Sequence, residues 1–562
     1  MQTNTPYSNF LQSPPTLKNE FVEDQFLQDY LATTLPAHVL AEITPNLNEF
    51  GKLVATDCIV WAREAEKNPP QLTQFDAWGK RIDHIQVSQG WLNLEGVAAE
   101  EGLVAIGYER QFGEYSRLYQ FTKLYLYTAS SAIYTCPLAM TDGAARLIEL
   151  HGDEYLKGEI YSGLISRNPD KFKTSGQWMT ERTGGSDVSR SMTIAIAKKN
   201  GFELHGHKWF TSAITAHMAF TLASLEQPKE GERAPLSLFY LPIRDESGRL
   251  NGIEVEALKD KLGTKALPTA QLLLKGANAI MVGQANRGVR TISTLFNITR
   301  IYNTISAVSY MRRAYALCKA YSTEREAFGQ PIGNHLLYQK NLRELEIAYQ
   351  SNALLAFFLV RLLGKEECNT STEEDRGLLR LLTPVAKLYS AKQAIAVASE
   401  HIEMFGGLGY LEDSGIPSML RDAQVLSIWE GTTNVLSLDM LRAIDKENGL
   451  NAFRLFAERA IQERKGASDQ QWQIIEERYA VFKSYLEHTK NRQYLLASSR
   501  DLAFYLAELT IALLWASFLE ENCDKLNYRR SLDYWLHYRI NSSTLNSTEW
   551  LDVVPKTERV TD

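Results

Sequence analysis

The feature that most constrains the fold of this chain is a change in hydrophobic period near Gly176. Apolar and polar residues alternate over Ser191–Lys198 and again over Phe202–Trp209, and the intervening Asn200-Gly201 is typical of a tight hairpin turn. Three further runs have strand-like composition: Leu236–Pro242, Gly252–Leu258 and Ala270–Leu274. The sequence therefore predicts a compact β domain, over residues 176–287.

Both flanks of this β domain carry apolar residues at three-to-four spacing, the period of amphipathic helices. On the N-terminal side, helices are predicted at Phe26–Leu31, Ala41–Lys67, Trp91–Ala105 and Tyr115–Leu150. On the C-terminal side, long helices typical of a bundle are predicted at Val289–Arg325, Gln339–Leu363 and Glu374–Met404. A last helical segment over about 445–540 and a loosely ordered tail after Asn541 complete the chain. The predicted fold is α+β and multidomain, divided into 1–175, 176–287, 288–444 and 445–562.

Size and charge narrow the class of protein. A chain of 562 residues is too long for one hydrophobic core. The net charge of -7 argues against a protein that binds nucleic acid through its global field. The cysteines show no metal or disulfide spacing, which fits a reducing compartment; they are Cys58, Cys136, Cys318, Cys368 and Cys523.

The N-terminus and the apolar runs bear on location. No basic start precedes an apolar core and the first arginine is Arg63, so neither a secretory signal nor an Arg-rich transit peptide is visible. The most apolar run, Leu509–Leu519, is bounded by glutamates and is shorter than the roughly 20 residues that a membrane-spanning helix needs. These features predict a cytoplasmic protein without a membrane span.

One carboxylate in the C-terminal half stands in an unusual setting. Glu430 follows the apolar pair Ile428-Trp429 and precedes Gly431. Burial against Ile428 and Trp429 would raise the pKa of Glu430 toward neutrality, as a carboxylate that removes a proton from carbon requires. The alternative is a carboxylate at the start of a helix, the commoner fate of a glutamate beside Gly-Thr-Thr. Taken alone, the stretch favours this second interpretation.

Two stretches in the β domain combine a turn or strand with groups suited to a cofactor. In the segment 179–187, glycines let the backbone approach a planar or anionic group closely, and Thr180 and Ser186 add hydroxyls. Trp209 and Thr211 offer an aromatic plane and a hydroxyl, and residues two apart in a strand point to the same face. A surface turn and an ordinary strand pair remain the alternatives.

Two further stretches lie in the helical region. Arg325 ends a predicted long helix beside Phe328 and a Gly-Gln-Pro turn, and its guanidinium suits a diphosphate, although a helix-ending cation explains it as well. The glycines of 406–409 follow a helix rather than a strand and lack the third glycine of a Rossmann fingerprint, so we reject that site. The sequence also shows no Walker loop, zinc spacing or nucleophile elbow.

Taken in order, five motifs make a specific set: TERTGGSD, KWFTSA, REAFGQPI, MFGGLGY and SIWEGTTN. On a helical, β, helical layout they resemble the acyl-CoA dehydrogenase flavoprotein family over residues from about 90 to 445. The N-terminal arm, the run CPLAMTDGAAR, Trp429 in place of tyrosine and the additional C-terminal helices are most similar to the branch that contains AidB-type alkylation-response proteins and related long acyl-CoA dehydrogenases.

The resemblance implies an N-terminal helical domain, a β-barrel-like middle domain and a C-terminal four-helix bundle, with FAD bound between the domains of a homotetramer or dimer of dimers. It implies that the isoalloxazine ring meets Met179, Thr180, Trp209 and Thr211, with Thr211 near N5, and that Gly185 and Ser186 lie on a phosphate side. Residues reaching the adenine-diphosphate half of FAD across a subunit interface would be Arg325, Phe328, Glu403 and Gly407, and those meeting it from the same subunit would be Thr432 and Asn434. Glu403 departs from the usual glutamine and offers only acceptors.

The implied reaction is α,β-dehydrogenation of an acyl-CoA thioester. Glu430 would remove the α-proton while hydride passes to flavin N5, and electrons would leave to an electron-transfer flavoprotein. Some members carry the base before an arginine of the first bundle helix, where this chain has Thr299 before Arg300, so Glu430 is the candidate in either position.

Two other classes of function remain open at this stage. The first is an AidB-type flavoprotein that has little dehydrogenase activity and binds DNA or regulates a response. About equal acidic and basic residues follow Asp445, so charge gives DNA binding no support. The second is a purely structural helical protein, which would be colourless when purified. No metal site is predicted.

Overall fold

The structure is a computed structural model that describes residues 13–227, 235–489, 491–540 and 545. The first part of the N-terminal arm and the tail after Asn541, apart from residue 545, lie outside the described residues. The prediction of a loosely ordered tail therefore falls outside them as well.

The N-terminal region is mostly helical and contains one hairpin. Its elements are α1 (Gln25–Thr34), α2 (Ala37–Ala55), α3 (Asp57–Lys67), β1 (Gln71–Phe75), β2 (Arg81–Gln86), α4 (Gln89–Glu100), α5 (Ala105–Glu109), α6 (Ser116–Thr128), α7 (Thr135–His151) and α8 (Tyr161–Leu164). Two helices predicted as continuous are each split, at Thr56 and at 129–134. In the second break, Ala132 and Ile133 have φ of 45° and 61°, which ends a right-handed helix.

The hairpin β1–β2 was not predicted, because no element was assigned between Lys67 and Trp91. It is stabilised by a distant part of the chain: Gln74 Nε2 and Arg81 Nη2 donate to the Val255 carbonyl oxygen at 2.9 and 2.8 Å. The Val255 amide donates in turn to Asp83 Oδ2 at 2.9 Å. Tertiary contacts, rather than local pattern, therefore decide this element.

The middle region is one mixed sheet of seven strands. They are β3 (Ser175–Trp178), β4 (Ile194–Lys198), β5 (Gly201–Ser212), β6 (Met218–Ser224), β7 (Leu236–Pro242), β8 (Ile253–Leu258) and β9 (Thr269–Val282). The predicted hairpin is confirmed, with β4 antiparallel to β5 and Lys198 paired with Gly201. The pairings run β6-β4-β5-β9-β7 and return from β7 to β6, so the sheet closes on itself as a barrel-like domain. Strand β6 was missed because all seven of its residues are buried and it does not alternate.

The C-terminal bundle follows the predicted periodicity closely. Its elements are α9 (Gly288–Glu324), β10 (Glu326–Ala327), β11 (Gln330–Pro331), α10 (Leu336–Glu367), α11 (Glu373–Met404), α12 (Ile416–Leu426) and α13 (Thr433–Lys446). The three predicted long helices are confirmed as α9, α10 and α11. Helix α11 begins at a capping box in which the side chains of Thr372 and Asp375 each accept a backbone N–H of the other.

A last helical module packs on this bundle. It comprises α14 (Gly449–Glu463), α15 (Asp469–His488), α16 (Arg492–Ala497), α17 (Ser499–Glu521) and α18 (Leu526–Tyr534). By length and composition alone α10 and α17 could each cross a membrane, so the expectation that the apolar run around 509–519 is too short was wrong for α17. In both helices 89% of the apolar window is buried inside the protein, the setting of a core helix.

Two hydrophobic cores organise the molecule. A large helical core joins the N-terminal helices, the bundle and the last module, and a separate core fills the sheet domain. The site described next lies where the sheet domain meets α7, α9 and α12.

Candidate active site

A cavity of about 2000 Å³ opens between the three regions. Its walls come from α7, the end of β3, the loop 260–269, α9, α12 and the turn before α13. Several large apolar side chains that are exposed to solvent line it: Phe210, Leu262, Val289, Ile428 and Leu438. An apolar surface gathered in one concave place is typical of a ligand site.

Glu430 stands in this cavity on a left-handed turn. Its φ is 57° and that of Gly431 is 104°, a conformation that costs a non-glycine residue about 1–3 kcal/mol. Two cations hold the turn by its carbonyls: Arg300 Nε donates to the Glu430 oxygen at 3.3 Å, and Lys387 Nζ donates to the Gly431 oxygen at 2.7 Å. The backbone therefore fixes the direction in which the carboxylate leaves the chain.

The Glu430 carboxylate accepts few hydrogen bonds. Thr299 Oγ1 donates to Glu430 Oε2 at 2.6 Å. Burial raises the pKa of Glu430, and the bond from Thr299 and the charges of Arg300 and Lys387 offset part of the rise. A carboxylate with a raised pKa beside an apolar cavity is suited to take a proton from a bound molecule.

The residues next to Glu430 do not lie as predicted. Ile428 was expected to bury the carboxylate, but its side chain is 60% exposed and forms cavity wall. The indole of Trp429 donates instead to Asn303 Oδ1 and so anchors the segment to α9. The alternative of a helix-start carboxylate is not what the structure shows, because α13 begins three residues later, at Thr433, and the carboxylate bonds to Thr299.

Five predicted cofactor residues line the same cavity as Glu430. These are Met179, Thr180, Gly185, Ser186 and Thr432. A Cβ on Gly185 would lie 2.8 Å from Thr180 Oγ1, so a side chain there would require the Thr180 side chain to shift. Their contact with a flavin stays a prediction.

Trp209 and Thr211 are not among the residues that line the cavity in the described part of the chain. The Lys259 ammonium sits 3.1 Å from the Trp209 ring centroid, and Thr211 Oγ1 donates to the Ala270 oxygen at 2.8 Å. The pairing of β5 with β9 is irregular between Lys208 and Thr211, and Phe210 has φ of 32°. The same-face argument assumed a regular pleat, and this bulge places Phe210 in the wall instead.

The remaining predicted cofactor residues are not among those that line this cavity. Tyr321, near the end of α9, stacks on Phe405 with centroids 4.3 Å apart, which brings the segments carrying Arg325 and Phe328 and those carrying Glu403 and Gly407 to one end of the bundle. Phe328 is 97% exposed, and Glu403 and Gly407 are also exposed. Asn434, in the first turn of α13, is exposed too.

Residues that sequence reasoning missed include Gln177 and Lys387. Gln177 lines the cavity and its side chain lowers the pKa of Glu430 by a hydrogen bond, but a glutamine in a short strand carries no sequence signal. Lys387 is the single charge in the apolar stretch LLTPVAKLYSA, and such an isolated charge could have marked it. Cys136, Ala139 and Met140 also line the cavity, so the run 136–143 both begins α7 and forms wall.

The cavity also holds polar atoms that lack partners. Gln177 Oε1 and Thr135 Oγ1 are buried without a hydrogen bond. Buried polar atoms are normally paired, so a bound molecule with both ring and polar edges would suit this lining. Among the described residues no group of three or more His, Cys, Asp or Glu side chains is placed to hold a metal ion.

Comparison with known domain families assigns the three regions. Residues 12–171 match the family described as adaptive response protein AidB N-terminal domain. Residues 176–277 match the acyl-CoA dehydrogenase middle domain, and residues 286–444 match the acyl-CoA dehydrogenase C-terminal domain.

Individual relatives agree with this assignment. The chain is 46% identical to acyl-CoA dehydrogenase family member 11 of Caenorhabditis elegans over 80% of this chain and 75% of that protein. It is 28% identical to the putative acyl-CoA dehydrogenase AidB of Escherichia coli over 71% of this chain and 73% of that protein. The crystal structure of Caenorhabditis elegans ACDH-11 in complex with C11-CoA matches with a TM-score of 0.87 and 39% identity, covering 94% of this chain and 93% of that one. The chain thus belongs to the acyl-CoA dehydrogenase family of flavoprotein oxidoreductases, in the branch that carries an AidB-type N-terminal domain.

Proposed function

We propose that this protein is an FAD-dependent dehydrogenase that introduces a double bond between the α and β carbons of an acyl-CoA thioester, with Glu430 as the base. The observation that carries the proposal is the position of Glu430: a carboxylate of raised pKa, on a fixed left-handed turn, in the wall of a cavity of about 2000 Å³. Its ionised form would take the α-proton, and Thr299 Oγ1, at 2.6 Å, would hold it in place.

The same turn offers a donor for the thioester oxygen. The backbone N–H of Glu430 donates to no acceptor within the described part of the chain. Charge builds on the thioester oxygen as the α-proton leaves, and a fixed amide donor would stabilise it. The left-handed conformation of Glu430 therefore serves both the base and the donor.

The lining residues fit a flavin. A bound FAD would accept the hydride that leaves the β-carbon. Met179, Thr180, Gly185, Ser186 and Thr432 would hold it from this chain, and Gln177 Oε1 offers an unpaired acceptor beside them. Trp209 and Thr211, predicted at the ring, would contact it through the bulged part of β5.

A homo-oligomer is part of the proposal. Arg325, Phe328, Glu403 and Gly407 cluster at an exposed end of the bundle and do not line this chain's cavity. They would meet the adenine-diphosphate half of an FAD that is bound mainly by a neighbouring subunit, in a tetramer or dimer of dimers. An electron-transfer flavoprotein would then accept the electrons.

The substrate class is an acyl-CoA whose chain enters between α7 and α9. Ala139 from α7 and Ser306 from α9, both small and buried, line this part of the cavity. The relative solved with C11-CoA supports a chain of comparable length.

Anaerobic titration of the purified yellow protein with saturated acyl-CoAs of graded length tests the proposal. We expect bleaching of the flavin absorbance, with the fastest reduction for one range of chain lengths. A protein that retains FAD and is reduced by none of the acyl-CoAs would contradict it.

No observation favours the alternative of an AidB-type DNA-binding protein. Several basic side chains of the last module pair with carboxylates, among them Arg459 with Glu374 and Arg464 with Glu476. A salt-dependent mobility shift with duplex DNA at physiological ionic strength would revive it.

A further inference from the structure

Lys387 is a fully buried lysine in the middle of α11 whose role the reaction outlined above does not use. Its side chain is 0% exposed. Its ammonium donates to the Gly431 carbonyl oxygen at 2.7 Å, so the bond it makes is to a neutral group. Burying an ammonium is costly unless its charge is compensated, and a carbonyl alone compensates little of it.

The charges that face Glu430 come from three helices, and most are already balanced. Arg300 on α9 forms an ion pair with Asp439 of α13 at 2.7 Å. The same aspartate forms a second ion pair with Arg380 of α11 at 2.6 Å. Lys387, also on α11, is the remaining cation that acts on Glu430.

The other side chains that act on the Glu430 carboxylate are neutral at neutral pH. Gln177 from β3 and Thr299 from α9 are neutral donors. Burial raises the pKa of the Cys136 thiol on α7 to about 12, so it stays protonated at neutral pH. Burial also lowers the pKa of Lys387 to about 7, and the charge of Glu430 works against that fall. Lysine and glutamate therefore act on each other's charge.

We propose that Lys387 is the positioning residue of this site: it holds the Gly431 carbonyl, and with it the left-handed turn, and its ammonium is the counter-charge that keeps Glu430 ionised in a desolvated cavity. The role of Glu430 as base rests on the proposed function, whereas the link from Lys387 to the turn of Glu430 rests on its hydrogen bond to the Gly431 carbonyl oxygen. A lysine that only filled space in α11 would have no effect on the carboxylate.

The chain contains a matched control. Lys123 on α6 is also buried and likewise donates to a carbonyl oxygen, that of Glu101 at 2.8 Å. Burial lowers the pKa of Lys123 to about 8, but its counter-charge is Glu101 and not Glu430. Replacing Lys123 thus reports the general cost of losing a buried lysine.

The experiment compares Lys387→Met, Lys387→Gln and Lys123→Met with the wild type. Methionine removes both the charge and the hydrogen bond, whereas glutamine removes the charge and keeps a donor for Gly431. The first readout is the titration of the Glu430 carboxyl by infrared difference spectroscopy, with Glu430→Gln assigning the band. The second is the pH dependence of flavin reduction by an acyl-CoA that reduces the wild type.

We expect both Lys387 variants to move the titration of Glu430 upward by about one pH unit or more, since a nearby opposite charge shifts a carboxyl pKa by about one to three units. The acidic limb of the reduction profile should move the same way, with KM little changed. Lys123→Met should lower thermal stability and leave both profiles in place. If Lys387→Met does not fold, Lys387→Gln decides the matter.

An unchanged Glu430 titration in Lys387→Gln, or an equal shift in Lys123→Met, would overturn the proposal. Failure of the proposed function would look different. In that case no acyl-CoA reduces the wild-type flavin, yet the infrared titration still measures the link between Lys387 and Glu430.

Discussion

Two glutamates of this protein, Glu430 and Glu181, are both desolvated by burial, but their pKa values move in opposite directions. Glu181, in the turn after β3, is a well-satisfied carboxylate. It accepts from Lys208 Nζ at 2.9 Å, from Thr193 Oγ1 at 2.5 Å, from the Met192 amide at 2.7 Å and from the Ser191 hydroxyl. Glu430 accepts hydrogen bonds only from the side chains of Thr299 and Gln177 within the described part of the chain.

The difference in donors reverses the electrostatics. Burial alone would raise the pKa of Glu181, but Lys208 and the surrounding donors hold it below its usual range. For Glu430 burial prevails and raises the pKa. A direct ion pair with Lys208, supported by several further donors, thus separates a carboxylate that anchors a turn from one that can exchange a proton.

The largest expected effect comes from replacing Glu430, since a carboxylate that exchanges a proton should be needed for flavin reduction. Glu430→Gln keeps the shape of the side chain and removes the base, and general-base catalysis contributes about 10²–10⁴-fold. We expect flavin reduction by acyl-CoA to slow by about 10³-fold, with FAD content kept and no loss in the thermal midpoint. Stopped-flow absorbance measures the rate, and a wild-type rate in the FAD-loaded variant would contradict the assignment.

The same substitution at Glu181 should lower the free energy of unfolding. Glu181→Gln strands the buried Lys208 ammonium, and breaking a buried ion pair costs about 3–5 kcal/mol. Urea unfolding should show this loss, whereas Glu430→Gln should show none.

A double variant sharpens the test of Glu181. Lys208→Met combined with Glu181→Gln removes both charges, so it should cost less than the sum of the single changes. Strict additivity would mean that the two side chains are not coupled.

Thr299 provides a smaller effect on the Glu430 side. Thr299→Val keeps the shape of the side chain and removes the donor at 2.6 Å from the carboxylate. A hydrogen bond to a charged group contributes about 1.5–3 kcal/mol, so the rate below the pKa of Glu430 should fall about tenfold. The acidic limb of the pH profile should move upward. A profile identical to wild type would show that Thr299 does not act on the base.

The smallest expected effect is the pH dependence of stability, which has opposite signs for the two glutamates. The lowered pKa of Glu181 stabilises the fold above its ordinary value of 4.5, and this contribution is lost as pH falls through the folded pKa. The raised pKa of Glu430 stabilises the fold below 4.5, and that contribution is lost as pH rises. The stability that Glu181→Gln loses relative to wild type should therefore shrink at acid pH. The stability of Glu430→Gln relative to wild type should increase as pH rises. Urea midpoints measured from pH 4 to pH 8 test this. If the stability differences of both variants from wild type change with pH in the same direction, the two glutamates do not differ as described.

The long helices α9, α10 and α11 could be predicted because their apolar period persists over more than 30 residues. The hairpin β1–β2 and strand β6 could not, since distant contacts or complete burial removed the local pattern. Glu430 was found through its motif, but Lys387 lies 44 residues before Gly431, whose carbonyl it holds, and Thr299 lies 131 residues before Glu430. Only the fold brings them to it, and sequence periodicity carries no such pairing.

The most direct test is to titrate both carboxyl groups in the folded protein. Infrared difference spectra against Glu430→Gln and Glu181→Gln assign the two bands. The account predicts that Glu430 titrates above 4.5, the usual value, and Glu181 below it. A Glu430 carboxyl that ionises at or below the midpoint of Glu181 would contradict it.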